Sequence, residues 1–198
     1  YAEFNYNDSK QNLRDLFLDT DHSRAYTMGF QKLFKTSNKD ISYLLSWEKT
    51  QLEQTASRLI RNAGSWYRHI YVFDGYTNRG EVLGAGIGPG SNSQYFSLTR
   101  ISEKNKIGVS FEIIDQDNDF YYMAFEDAMD FRRYWKDYNL HFTIDQKFSK
   151  FLGSLNLVYS RSLNYQWELE DYAKPYYHPG KDVNNIHLDL KLTFPLDF

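Results

Sequence analysis

The chain has no cysteine. That excludes a disulfide framework and any thiol chemistry. Long apolar runs are missing as well. The longest, 120–125, is about six residues, against the ~20 that a transmembrane helix needs. No charge of one sign dominates. The net charge is −3, so no strong field favours nucleic acid as a partner. The amino end carries neither an initiator methionine nor a signal peptide. It reads as the middle of a strand, Tyr1-Ala2-Glu3-Phe4-Asn5-Tyr6. The expectation is a carboxyl-terminal piece of a longer protein. The 198 residues suit one domain.

Alternation is what the chain has in quantity. From 184 to 198, Ile186, Leu188, Leu190, Leu192, Phe194, Leu196 and Phe198 take every second place, and His187, Asp189, Lys191 and Thr193 lie between them. Successive side chains of a strand point to opposite faces, so one face is unbroken and apolar. This face runs about thirteen residues, roughly 43 Å at ~3.3 Å each. Tilted by ~45°, it spans roughly 30 Å, close to a hydrocarbon core. A strand of a soluble sandwich alternates too, but is usually shorter. The terminal aromatic Phe198 resembles the signal by which barrel-insertion machinery recognises outer-membrane proteins. A mean hydropathy of −0.66 does not oppose a barrel, since only alternate residues would face lipid. The 18% aromatic share suits interfacial girdles, and equally aromatic-lined sugar sites.

The same pattern predicts strands at about 1–6, 24–35, 39–48, 65–73 or 93–102, 106–116, 138–148, 153–167 and 184–198. In the seventh, Leu155, Leu157, Tyr159, Leu163, Tyr165 and Trp167 share a face, with Arg161 the exception. Residues 36–38, 103–105 and 149–152 make short turns, and 7–23, 49–92, 117–137 and 168–183 make long loops. Short and long alternate, as periplasmic turns and extracellular loops do in outer-membrane barrels. The predicted fold is therefore an all-β antiparallel transmembrane β-barrel, with about eight strands over residues 1–198 and one or two short loop helices. Leu52, Ala56, Leu59 and Ile60 are spaced for a helix within 49–62, with Gly64 as its cap. Residues 66–73 read as a further strand or hairpin arm. In 119–136, Tyr122, Phe125, Met129 and Arg133 would stack on one helix face.

The block Gly75-Tyr76-Thr77-Asn78-Arg79-Gly80-Glu81-Val82-Leu83-Gly84-Ala85-Gly86-Ile87-Gly88-Pro89-Gly90 leads into Ser91-Asn92-Ser93-Gln94-Tyr95 and follows Trp66-Tyr67-Arg68-His69. With the terminal strand, it resembles the carboxyl half of the Wzi-type capsule assembly family, over nearly the whole chain. That resemblance implies a larger outer-membrane barrel with more strands than these eight. It also implies a lectin-like protein, not an enzyme, that holds capsular polysaccharide on the cell surface.

Other chemistry is weaker. The glycines lack both GxGxxG in a strand–helix context and a GK[ST] ending, so a tight loop folded into the barrel mouth is expected in place of a phosphate cradle. Asp115-Gln116-Asp117-Asn118-Asp119 opens like a calcium loop and places Glu126 twelfth, but Phe120 stands where the turn needs glycine. A solvated loop is expected there. His22, His69, His141, His178 and His187 show no metal spacing. No cofactor is implied. Ser110, Ser154, Ser160, His141 and His187 share the inward phase, which leaves a membrane-embedded hydrolase open.

Sugar recognition needs flat apolar faces beside planar hydrogen-bonding groups. Trp66, Tyr67, Arg68, His69, Tyr71, Asn78 and Arg79 form one candidate group. Arg132, Arg133 and Trp135 form a second, and Tyr172, Tyr176, Tyr177 and His178 a third. The arginines suit an acidic capsule, gripping carboxylates bidentately. The same residues would also suit lipopolysaccharide head groups or simple lumen filling. The expected role is an integral outer-membrane protein of a Gram-negative envelope that anchors surface polysaccharide. The alternatives are a porin or solute channel and the hydrolase.

Overall fold

Period-two patterning becomes strand along most of the chain. A computed structural model describes residues 1–7, 10–37, 40–69, 71–72, 74–130, 132–169 and 180–194. Tyr172, Tyr176, Tyr177, His178, Leu196 and Phe198 lie outside the described residues. The strands are β1 (Ala2–Tyr6), β2 (Arg24–Lys35), β3 (Ile41–Gln51), β4 (Thr77–Asn78), β5 (Glu81–Val82), β6 (Asn92–Ser102), β7 (Asn105–Asp115), β8 (Lys136–Lys147), β9 (Leu152–Leu163) and β10 (Val183–Thr193). All except the small β4–β5 hairpin join one eight-stranded sheet in the order β1-β2-β3-β6-β7-β8-β9-β10, antiparallel throughout. Among the described residues the sheet does not close: β1 and β10 are its edges. No described helix is long and apolar enough to cross a membrane.

The turns at one end are tight because their own polar groups close them. In β6–β7 the Ser102 hydroxyl donates to the Asn105 side-chain oxygen at 2.9 Å and accepts from the Asn105 N–H at 3.1 Å. In β2–β3 the Thr36 hydroxyl donates to the Ile41 carbonyl at 2.9 Å. In β8–β9 the Phe148 N–H donates to the Phe151 carbonyl at 2.8 Å, and the two rings stack at 4.5 Å. The long connections all emerge at the other end.

Register then sorts the faces. One cross-sheet row reads Phe30, Trp47, Phe96, Phe111, Leu140, Tyr159 and Ile186. The next row on the opposite face reads Gln31, Ser46, Ser97, Ser110, His141, Val158 and His187. Burial runs against the usual order. Phe96, Phe111, Leu140 and Ile186 are 47%, 41%, 47% and 70% exposed, whereas Ser46, Thr50 and Ser93 are buried. Among the described residues Ala25, Leu52 and Tyr121 are the only buried apolar ones. Loop residues such as Trp66 and Tyr67 lie over part of the polar face, where Ser46, Thr50 and Ser93 are buried, while large side chains of the apolar face are exposed.

Several local expectations change. The helix predicted in 49–62 is absent: Lys49, Thr50 and Gln51 extend β3, leaving a 3₁₀ turn at Ala56–Leu59. Leu52 is buried while Ile60 is exposed, so the helical spacing marks no common packed face. No strand forms among the described residues of 66–73, because Tyr67 is left-handed, φ 64°. The strand 93–102 is the one that pairs, as β6. Strand β9 stops at Leu163, not at 167: Asn164, Gln166 and Trp167 have φ of 52°, 55° and 58° and turn the chain back. A helix does form in 119–136, as α2 (Asn118–Phe125), but it ends before Met129. An unexpected helix, α1 (Leu13–Leu18), starts where Asn12 accepts from the Asp15 N–H at 2.9 Å.

Gly29 shows how tightly β2 meets its neighbours. A Cβ there would lie 2.6 Å from the Trp47 carbonyl oxygen and 2.6 Å from the Tyr1 phenol oxygen. The variant Gly29→Val should lose about 1–3 kcal/mol, as overpacked sites do, read from its urea unfolding midpoint. An unchanged midpoint would contradict this close approach.

Candidate functional site

A broad concavity lies on the polar face. The loop between β3 and β6 doubles back so that Trp66, Tyr67 and residues 84–87 face the strands across a cleft of about 920 Å³. Tyr67 builds this fold. Its carbonyl accepts from the Tyr76 N–H at 2.9 Å, and its phenol oxygen accepts from the Ala85 N–H at 3.0 Å. A Cβ at Gly84 would meet the Tyr67 ring at 2.5 Å, so only glycine lets this ring lie against the backbone. The expected tight glycine loop is therefore present, and an aromatic ring is what the glycine accommodates.

The strand wall of the cleft is acidic. Glu48, Tyr95 and Glu112 occupy one row across β3, β6 and β7, and Glu3 lies on β1. Glu48 accepts from the Tyr1 hydroxyl. Glu112 accepts from Asn139 Nδ2 at 3.2 Å, and Glu3 from Asn5 Nδ2 at 3.3 Å. Among the described residues lining the cleft there is no Lys, Arg or His.

The base of the long loop is tied to α2 by a second set of carboxylates. Glu53 accepts from Asn92, from the Tyr122 hydroxyl, and from Asn118 Nδ2 at 3.0 Å. Arg58 lies 3.7 Å over the Tyr122 ring and pairs with Glu126 at 3.0 Å. Asp117 caps α2 by accepting from the Phe120 N–H at 3.0 Å, and pairs with Arg68 at 2.6 Å. Asp119 accepts from the Gln54 N–H at 2.8 Å. Burial pushes both the Asp117 and the Asp119 carboxyls up, and pushes the Tyr122 phenol up as well. The run 115–119 thus joins the end of β7 to the cap and first turn of α2, in place of the expected solvated loop, with Asn118 and Asp119 buried. Among the described residues no set of three such groups is placed to hold a metal ion.

The second candidate group closes on itself. Asp130 receives Arg132 Nε at 2.8 Å and Arg133 Nε at 3.0 Å. Arg133, only 7% exposed, also donates to the Trp167 carbonyl at 2.8 Å and lies 5.0 Å over the Phe125 ring. Trp135 donates to Asp137 at 2.8 Å and meets Trp167 edge-on at 5.1 Å. Trp167 in turn sits 4.5 Å from Phe120. Tyr121 packs 4.1 Å from Tyr134, and burial pushes its phenol up to about 12.

Of the first group, then, Trp66 and Tyr67 reach the cleft and Arg68 turns to α2. His69 and Tyr71 are exposed, their rings 5.9 Å apart. Asn78 and Arg79 form the exposed tip of the β4–β5 hairpin, where Arg79 and Gly80 have φ of 54° and 84°. Arg132, Arg133 and Trp135 come together as loop structure. The third group lies outside the described residues. Sequence reading missed Glu3, Glu48, Tyr95 and Glu112. Their inward phase was visible, but which loop would cover them was not.

Hydrogen bonds from Arg132, and then from Arg133, hold the Asp130 carboxyl below the usual range. Its contribution is present above the ordinary Asp pKa of about 3.9 and is lost as pH falls through the depressed value. Near-UV circular dichroism from the Trp135–Trp167 cluster should hold from neutrality to about pH 4 and decay below. In Asp130→Asn the signal should be weaker at neutral pH and lack this acid limb. An unaltered acid limb in that variant would contradict the assignment.

Compared with known proteins, the chain matches no family model, no curated protein and no solved structure.

Proposed function

We propose that this sheet is part of a transmembrane β-barrel in a Gram-negative outer membrane, and that it anchors capsular or other surface polysaccharide through its loop end. The observation that carries the first half is the inverted burial: loops lie over the polar face, and rows such as Phe96, Phe111 and Leu140 are left bare. Water would penalise that arrangement at ~25 cal/mol per Å², whereas hydrocarbon would not. The strands of the eight-stranded sheet other than β1 have 11 or 12 residues, roughly 36–40 Å at ~3.3 Å each. A tilt of ~45° brings them to about 26–28 Å, near a bilayer core. The alternation of short turns and long loops supports the same reading.

The second half rests on the likeness of 66–95 to the Wzi-type family and on the aromatic and hydrogen-bonding lining of the cleft. Binding, not catalysis, is the role. A solute channel fits less well, because Trp66, Tyr67 and residues 84–87 lie across the polar face. One observation favours the hydrolase reading: Ser110 and His141 are direct cross-strand partners on that face. Abolition of a membrane-bound hydrolytic activity by Ser110→Ala would select it.

Two measurements test the proposal. Leu188→Arg, at the centre of the apolar face of β10, should lose about 2–4 kcal/mol and fail to accumulate in urea-washed outer membranes. His187→Arg, one place along, should insert normally. Equal behaviour of the two would overturn the membrane face. Deleting the gene in an encapsulated strain should leave polysaccharide synthesis intact and move the polymer from the cells to the medium. An unchanged split would overturn the anchoring role.

A further inference from the structure

The cleft carries a charge rule. Its strand wall sets Glu48 and Glu112 on either side of Tyr95, two strand spacings apart, roughly 10 Å between their α-carbons. Glu3 adds a third carboxylate from β1. Among the described residues no Lys or Arg is paired with any of the three. Each has one polar neighbour, from Tyr1, Asn139 or Asn5. An ionised carboxylate accepts through two oxygens and about four lone-pair sites, so acceptor capacity remains on all of them. What the wall offers is acceptors and negative charge. The opposite wall offers Trp66 and Tyr67, with Tyr67 held in place through Ala85 and Gly84.

We infer that the cleft takes a hydroxyl-rich glycan segment without carboxylate or phosphate groups. This deepens the polysaccharide reading and rests on it. Sugar hydroxyls donate to the carboxylates, as carboxylates can only accept while ionised. Ring C–H faces lie against Trp66 and Tyr67. A uronate or phosphate in the same place would meet like charge in a site screened less than open surface. With about 920 Å³ the cleft has room for more than one sugar ring. An acidic polymer would thread a neutral stretch here and leave its charged units outside, towards groups such as the exposed Arg79 at the hairpin tip.

Residues 1–198 contain no cysteine, which gives a direct test in a background where any cysteine outside them is replaced by serine. Gln31, exposed and lining the cleft, is replaced as Gln31→Cys. The full-length protein in detergent is treated with a neutral thiol reagent. The competitors are polysaccharide released from the same cells, and that polysaccharide after carbodiimide–borohydride reduction of its carboxyl groups. Binding is measured in parallel by co-sedimentation. The reduced polymer should protect the thiol at about tenfold lower concentration than an acidic native polymer. A native polymer that proves neutral should protect unmodified, and succinylating it should abolish protection. Glu48→Gln combined with Glu112→Gln should remove the discrimination.

Co-sedimentation without thiol protection would overturn the inference and leave the anchoring role standing. Equal or better protection by the acidic form would do the same. No co-sedimentation with either polymer would remove the anchoring reading, and the inference with it.

Discussion

A sheet must hide its apolar face from water, and the whole structure turns on how this one does so. In a soluble domain the loops and helices would pack on the rows that include Phe30, Phe96, Phe111 and Leu140. Here they pack on the other side, over Ser46, Thr50 and Ser93. Meander topology makes that possible, since each strand pairs with its neighbour and all long connections leave from one end. Once the loops have taken the polar face, the apolar face needs a partner that is itself apolar. In the proposed function that partner is a bilayer, which would meet it across the full strand length.

Covering a polar face requires hydrogen bonds and paired charges in place of a hydrophobic core. The loops carry them. Glu53, Asp117 and Asp130 each collect donors from more than one part of the chain or close a charged pair, and Asp119 accepts from the Gln54 N–H. Left-handed backbone at Tyr67 and Trp167 is unfavourable for bulky side chains and persists because the surroundings hold it: Ala85 and Gly84 at Tyr67, Arg133 and Trp135 at Trp167. The result is a loop layer with defined walls, and the cleft lies between that layer and the strands.

Much of this was legible in the sequence. Strands such as β7, with Ile107, Val109, Phe111 and Ile113 opposed by Gly108, Ser110 and Glu112, declare their faces through period two alone. The division into short turns and long loops follows directly. Places where local pattern and tertiary structure part were not legible. Tyr165 and Trp167 continue the alternation of β9 beyond its end, yet Asn164, a residue that tolerates left-handed backbone, stops the strand. Leu52, Ala56, Leu59 and Ile60 imitate a helix inside a loop anchored instead by the Leu52 N–H on the Ser91 carbonyl. Arg132 and Arg133 read as free binding groups because Asp130, their partner, is two and three residues away with no periodic signal. Asn12 before Asp15 did carry a capping signal for α1.

Whether the apolar face meets lipid can be read along strand β8. Single cysteines placed in turn at Tyr138, Asn139, Leu140, His141, Phe142, Thr143 and Ile144 can be spin-labelled without background, since the chain has none of its own. In reconstituted bilayers, collision with oxygen reports lipid, and collision with a polar nickel chelate reports water. A lipid-facing apolar side should give strict period two, with oxygen favoured at Tyr138, Leu140, Phe142 and Ile144 and the chelate at Asn139, His141 and Thr143. Chelate access on the Leu140 face, or no alternation at all, would contradict it.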